Sequence, residues 1–326
     1  MKETVLAGIR ATSKLHIGNY LGAVKGMLEL EKSGDYETFF MVADIHAITT
    51  PFNPEELRKN KYEVVIDYLA CGLNPEKSTI FLQSMVGEHA EFTFYLSSLV
   101  TIARMQHLPT FKEKVKQYPE SVSLALLNYP TLMASDILLY NANKVPVGID
   151  QEPHLEIARE IARKLNSTYS LAFNEATRFA TDGQYVPSLT GEGKMSKSVE
   201  GSAIMLTDDF ETIKNKLFAV PTDSGKGLEI PVNGGVKTLL ELVALFLGLE
   251  KRKEYESMYL SDGIKYKQMK EGLADEVYKV LIPIQEKRRY FENNPQIVVE
   301  VINDGKNKAQ KVASENLAKV KFAMGL

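Results

Sequence analysis

Three short apolar runs, each followed by a stretch of helical character, constrain this chain more than any other feature of it. They are TVLAGI (residues 4–9), TFFMVADI (38–45) and STIFLQS (78–84). The first is short and β-branched and leads into apolar residues at helical spacing from Ile17 to about Leu30. The second leads into Asn53-Pro54-Glu55-Glu56, where asparagine can cap a helix and proline takes a first-turn position whose N–H needs no partner. The third ends before another helix. Strands alternating with helices pack as a parallel sheet covered on both faces, so the predicted fold class is α/β, a doubly wound, Rossmann-like parallel sheet. Ligands of such sheets bind at the C-terminal ends of the strands.

After about residue 200 the strand signals fade into helical segments such as KTLLELVALFLGL and EVYKVLIPIQEKRRYF. A chain of 326 residues exceeds the usual single core. Two domains are therefore predicted: 1–200, Rossmann-like, and 201–326, smaller and helical, whose last helix could pack back on the first. No repeat or low-complexity tract is present, which excludes solenoids and long linkers. The start MKETVLAGIR lacks the basic opening and long apolar run of a secretory signal, and no stretch approaches the length of a membrane span. A cytoplasmic protein without a membrane partner is expected. The single cysteine, Cys71, sits in an amphipathic run and reads as a buried thiol; disulfides within the chain are excluded. Residues 250–326 carry 15 Lys/Arg against 12 Asp/Glu, while the whole chain is at −3. That mild excess suits a polyanion partner, but solvated helix faces give the same count.

The loop after the first strand reads Gly8-Ile9-Arg10-Ala11-Thr12-Ser13-Lys14-Leu15-His16-Ile17-Gly18-Asn19-Tyr20. Its small residues let backbone approach a ligand, the helix start offers unpaired N–H groups, and His16 and Asn19 add donors three residues apart. Gly18 leaves room for a flat base. A capped loop with a locally satisfied histidine would look the same. Lys194-Met195-Ser196-Lys197-Ser198 is a sharper signal, since a specified pentapeptide arises by chance in roughly one such chain in ten thousand. Two lysines beside a serine can wrap a triphosphate, and Gly191-Glu192-Gly193 before them reads as a flexible hinge. A solvated basic loop is the alternative. Asp44 and His46 face the same way on an extended segment, as a strand-end site or as a core histidine. On a helix, Met133, Asp136 and Tyr140 share one face.

The two signatures, in this order and about 180 residues apart, resemble those of class I aminoacyl-tRNA synthetases, and the resemblance spans nearly the whole chain. Three further stretches, ADIHAIT (43–49), YPTLMASDIL (129–138) and VGIDQ (147–151) running into His154-Leu155-Glu156, resemble the bacterial-type tryptophanyl-tRNA synthetases in particular. The resemblance implies L-tryptophan, ATP and tRNA(Trp) as substrates, a homodimer, and Mg2+ bound through the ATP phosphates; no acidic cluster has metal-ligand spacing, so no protein metal site is expected. It implies an ATP site of Arg10, Thr12, Ser13, His16, Gly18, Asn19, Gly148, Asp150, Lys194, Met195, Ser196 and Lys197. Lys197, Lys194 and Ser196 would be catalytic, together with Lys114, favoured over Lys112 in the stretch FKEK (111–114). The tryptophan pocket would comprise Leu6, His46, Tyr129, Met133, Asp136, Val145, Val147 and Gln151, with Asp150 or Gln151 near the ammonium and ribose.

Asp136 has an independent rationale, because an indole has a large apolar body and one N–H donor, which a carboxylate and a methionine on one helix face would read together. An aspartate satisfied by a nearby loop amide, beside a core methionine, is the alternative. Ala11 and Ser13 stand where the family commonly carries proline and glycine, and Ile149 where an acidic residue is usual. These departures bear on the loop's conformation and on one polar contact. The rivals are the tyrosine enzyme, set apart by the pocket helix; a non-catalytic paralogue, disfavoured by the intact 194–198 motif; and a small-molecule nucleotidyltransferase, which leaves the helical C-terminal region unexplained. That region is expected to read the tRNA anticodon, with Lys287, Arg288 and Arg289 on phosphates.

Overall fold

The structure, a computed structural model, describes residues 2–179, 185–197 and 199–326; Ser198 of the lysine motif lies outside them. The chain forms two compact units. The first comprises Met1–Ser13, Gly26–Thr181 and Phe291–Leu326, and the second Lys14–Lys25 and Asp182–Tyr290. The predicted boundary at residue 200 thus falls inside the second unit, and the chain's last segment belongs to the first.

The first unit is built on a five-stranded parallel sheet in the order β3-β2-β1-β4-β5, with β1 Glu3–Arg10, β2 Tyr36–Ala43, β3 Thr79–Leu82, β4 Lys144–Val145 and β5 Thr177–Arg178. This is the expected doubly wound architecture. Strands covered on both faces bury consecutive residues, as β2 does from Thr38 to Ala43. The order reverses beside β1, where the chain first steps outward to β2 and β3 and later returns to β4. The gap between β1 and β4 is the topological switch point at which such sheets open a crevice. Strands β4 and β5 have two residues each, too few to show a period in sequence.

The helix Pro54–Cys71 starts as predicted, with Asn53 Oδ1 accepting from the N–H groups of Glu55 and Glu56 at 2.9 and 3.2 Å, and ends at Gly72 in the left-handed region, φ 110°. Cys71, expected to be buried, is instead half-buried, because it closes the last turn of this helix beside the surface. The last helix, Pro295–Met324, lies on β3 so closely that a Cβ on Gly305 would overlap the Ile80 carbonyl oxygen. Asn316 Nδ2 donates to Leu139 O at 2.8 Å, and Lys321 pairs with Glu91 at 2.7 Å.

The second unit holds the helices Phe210–Ala219, Gly234–Phe246 and Leu249–Leu260 and most of Tyr266–Asn293. Its buried aliphatics include Leu15, Ile17, Ile204, Ile213, Leu239 and Val277. Lys270 is buried and donates to the carbonyls of Phe218 and Val220 at 3.0 and 2.8 Å, which satisfies the end of the helix Phe210–Ala219. Arg288, expected on a phosphate, is only 2% exposed, whereas Lys287 and Arg289 are on the surface. Successive helical residues point about 100° apart, so three adjacent cations cannot share one exposed face.

Candidate active site

A cavity of about 370 Å³ lies in the first unit at the C-terminal ends of the central strands. Strand β1 supplies Leu6, Gly8 and Arg10, alternate residues on one face, while β2 supplies Met41 and Ala43 and β4 supplies Val145. The helix Leu124–Leu139 adds Leu126, Tyr129, Met133, Asp136 and Ile137, at the three- and four-residue spacings of one helical face. All eight residues predicted for the amino-acid pocket line this cavity: Leu6, His46, Tyr129, Met133, Asp136, Val145, Val147 and Gln151.

Asp136, one of its lining residues, is only 2% exposed. Oδ2 accepts from His46 Nε2 at 2.8 Å; Oδ1 accepts from Gln83 Nε2 at 2.7 Å and His89 Nδ1 at 2.6 Å. Burial pushes this carboxyl up, but the hydrogen bonds donated by the two histidines outweigh it, and it titrates below the usual aspartate value. The sequence reading placed Asp136 on a face with Met133 and Tyr140 and kept a nearby loop amide as the alternative, which the Gln83 side chain in part supplies. Gln83 and His89 were missed, since each sits in a turn or first helical turn after β3 with no periodic neighbour to mark it.

A second polar cluster sits beside the cavity. His154 Nε2 lies 2.6 Å from Tyr129 Oη and 2.7 Å from Thr110 Oγ1, and its Nδ1 lies 3.0 Å from Gln151 Oε1. Burial lowers the His154 pKa to about 4, so the ring is neutral, and it raises that of Tyr129, so the phenol keeps its proton. One of the two hydroxyls, of Tyr129 or of Thr110, donates to Nε2, and Nδ1–H donates to Gln151. The Gln151 amide NH2 is thereby turned toward Asp150 Oδ2, at 2.8 Å. Thr110 and His154 are further lining residues that the sequence reading had not placed in the pocket.

Arg10 and Lys114 bring two cations to the same cavity. Arg10 donates to Thr50 Oγ1 at 3.0 Å, but its buried Nε has no partner among the described residues. Burial lowers both pKa values, and for Lys114 the nearby Arg10 charge adds to the effect. Two cations without a carboxylate partner among the described residues form a seat for an anion. Of the other residues predicted for the nucleotide, Thr12, Ser13, Gly148 and Asp150 do not line this cavity; Thr12 lines an adjacent hollow with Phe52 and Asn60. Ala11 is buried, while Ile149 and Asp150 are exposed.

His16, Gly18, Asn19 and the lysine motif belong to the second unit. Asn19 Oδ1 accepts from His16 N at 3.2 Å, so the asparagine caps the turn with its oxygen and keeps its NH2 for a ligand. A Cβ on Gly18 would lie 2.9 Å from the His16 ring and 3.3 Å from Met195 Cβ. A side chain at position 18 would therefore meet the imidazole. His16 is buried with Nδ1 lacking a hydrogen-bond partner, and burial, reinforced by Lys197 and Lys194, lowers its pKa to about 4.

The motif itself leaves a hairpin in which Met195 N donates to Val186 O at 2.9 Å and Ser188 N to Gly193 O at 3.0 Å. Gly191 and Gly193 occupy the left-handed region at φ 91° and 71°. Gly191 packs against the backbone of Gly234 and Gly235, so this segment is a tight turn rather than the predicted loose hinge. Met195 is buried, Lys194 is exposed, and Ser196 N donates to Ser202 Oγ at 3.1 Å.

Comparison with known proteins agrees with this arrangement. The family model for tRNA synthetases class I (W and Y) matches residues 2–282. A tryptophan--tRNA ligase of Porphyromonas gingivalis is 37% identical over 99% of this chain and 99% of its own length, and one of Mycoplasmopsis pulmonis is 41% identical over 100% and 98%. Among solved structures, a tryptophanyl-tRNA synthetase of Campylobacter jejuni complexed with ADP and tryptophan superposes with a TM-score of 0.85 at 32% identity, covering 99% of this chain and 100% of that one. That of Mycoplasma pneumoniae gives 0.84 at 31%, covering 100% and 98%. With an α/β switch-point cavity, both signature motifs and full-length relatives of one kind, the chain belongs to the class I tRNA synthetases of the W and Y family.

Proposed function

We propose that this protein activates L-tryptophan with ATP and transfers it to tRNA(Trp). The observation that carries the choice of amino acid is Asp136, a buried carboxylate beside Met133 on the wall of a largely apolar cavity. An indole fits both, its ring on the thioether and its N–H on the carboxylate. A tyrosine side chain would leave part of that volume empty and bring its hydroxyl where no indole N–H stands.

In the first step a tryptophan carboxylate oxygen attacks the α-phosphorus of ATP, the bond to the bridging oxygen breaks, and pyrophosphate leaves with the electron pair. The enzyme aligns these groups and supplies charge; no protein nucleophile takes part. Arg10 and Lys114 suit the reacting carboxylate and α-phosphate, and Lys194, Ser196 and Lys197 suit the departing pyrophosphate. Neutral His16 and the Asn19 amide suit the nucleotide, with Thr12, Ser13, Gly18, Gly148, Asp150 and Met195 as its further surroundings. In the second step a terminal ribose hydroxyl attacks the acyl carbon and AMP departs. These cationic residues fit a polyanion that carries Mg2+ on its own phosphates.

Residues 201–326, within which Lys287 and Arg289 are exposed, would read the tRNA anticodon. A homodimer is supported by the family resemblance and by exposed apolar Phe94, Ile102, Val122 and Leu124 on a segment whose helices pack together. The substrates themselves suit a cytoplasmic enzyme, and no described helix is long and apolar enough to cross a membrane. ATP–pyrophosphate exchange across the twenty amino acids tests the proposal: tryptophan alone should support it. Exchange with tyrosine, or with none, would overturn it.

A further inference from the structure

An ionised carboxylate has about four acceptor sites, two on each oxygen. At Asp136 three of them are taken: two on Oδ1, by Gln83 and His89, and one on Oδ2, by His46. The donors are themselves held. Gln83 Oε1 accepts from the backbone N–H groups of Ile45 and His46 at 3.0 and 3.3 Å, so its amide cannot flip, and its NH2 must face Asp136. His89 is 0% exposed, and its other nitrogen, Nε2, lies 2.8 Å from Tyr140 Oη. Tyr140 is itself buried, and burial lifts its pKa well above the ordinary value, so its hydroxyl keeps its proton and donates to Nε2. The His89 proton is thereby assigned to Nδ1, facing the carboxylate. Tyr140 in turn stacks on Phe39, with ring centroids 4.6 Å apart.

Building on the tryptophan reading above, we infer that the chain Tyr140–His89–Asp136 is a positioning device for amino-acid specificity: it saturates Oδ1, prevents the carboxyl from rotating or taking up a proton, and leaves one acceptor site on Oδ2 at the cavity wall for the indole N–H. His89 does not line the cavity and would act only through Asp136. Its loss would therefore weaken recognition of the N–H and leave recognition of the ring intact.

The test compares tryptophan with benzothienylalanine, in which sulfur replaces the N–H, by KM and kcat in pyrophosphate exchange. In His89→Leu the preference for tryptophan should fall about tenfold or more through its KM, as expected for a mis-set charge-assisted hydrogen bond, with the sulfur analogue unchanged. His89→Asn, whose amide can donate from the Nδ1 position, should restore most of it. Tyr140→Phe, which removes one hydroxyl and keeps the stack on Phe39, should shift the preference severalfold in the same direction, and it carries the test if His89→Leu does not fold. Equal KM increases for both ligands, or no change in their ratio, would reduce His89 and Tyr140 to packing and overturn the inference. A wild-type enzyme that does not activate tryptophan would instead overturn the reading on which it rests.

Discussion

The cavity of the first unit and the lysine loop of the second are both polar sites, yet they are built in opposite ways. Around the cavity, Asp136, His89, Gln83, Tyr129 and His154 are partnered at 2.6–3.0 Å before any ligand arrives. Around the loop, His16 Nδ1 is buried without a hydrogen bond among the described residues and Lys194 is exposed. A pre-paired site can tell apart neutral molecules that differ by one donor, because a wrong ligand leaves a fixed group unsatisfied. A cationic site on the surface takes whatever brings enough negative charge, and it acts most strongly when that charge grows during reaction. On the function proposed above, the choice of amino acid would rest with the first unit, and the charge on the departing pyrophosphate with the lysine loop of the second.

The sharpest attempt to break this division is Lys197→Ala. The rate of adenylate formation in single-turnover assays should fall by on the order of a thousandfold or more, with tryptophan affinity barely changed, and exposed Lys194→Ala should be milder. A parallel loss of tryptophan affinity would mean that the two sites do not divide the work.

Asp136→Ala probes the other side. Tryptophan binding should weaken by roughly 2–4 kcal/mol, and Asp136→Asn, which retains an acceptor oxygen, should lose less. The chain contains no Trp, so a bound ligand is the only indole present and its fluorescence reports binding directly. Unchanged affinity and unchanged rejection of tyrosine in Asp136→Ala would remove this aspartate from the recognition site.

The two buried imidazoles sharpen the comparison through stability. His16 and His154 titrate at about 4 in the folded protein against an ordinary 6.5, both chiefly because of burial. The unfolded chain therefore takes up protons first. Stability is complete above pH 6.5 and is lost as pH falls from 6.5 toward 4, by up to about 3 kcal/mol for each ring. Urea midpoints measured across that window should show the slope, and His16→Gln and His154→Gln should each remove part of it. A flat profile would mean that neither ring is held neutral.

The smallest effect is expected at Lys287 and Arg289. Replacing both with alanine should weaken aminoacylation severalfold in a salt-dependent way and leave pyrophosphate exchange intact. Equal loss of the two activities would point to misfolding.

Much of this was legible in the sequence where a period or a motif carried it. Alternating runs announced the sheet, and the spacing of Met133 and Asp136 announced one wall of the cavity, whereas Tyr129 came from the family resemblance and Tyr140, expected on the same face, lies behind that wall against His89 and Phe39. What could not be read was whatever depends on contacts between distant segments. Gln83 and His89 reach Asp136 from 53 and 47 positions away, and nothing local distinguishes them from other polar residues after a strand. Arg288 looked like its neighbours in a basic run until the helix turned it inward. Gly18 and Gly191 read as slack, but both are places where other groups press against the backbone.

The contact of Gly305 with the Ile80 carbonyl has a consequence for biosynthesis. Strand β3 emerges from the ribosome early, but the helix that lies on it contains residues made more than two hundred positions later, after the whole of the second unit. Until then an apolar sheet face waits uncovered, and unfinished chains carry the exposed surface on which aggregation and chaperone capture act. Closure of the first unit must wait until the second has been made. A bulkier residue at position 305 would be felt there first, as a lower yield of soluble protein.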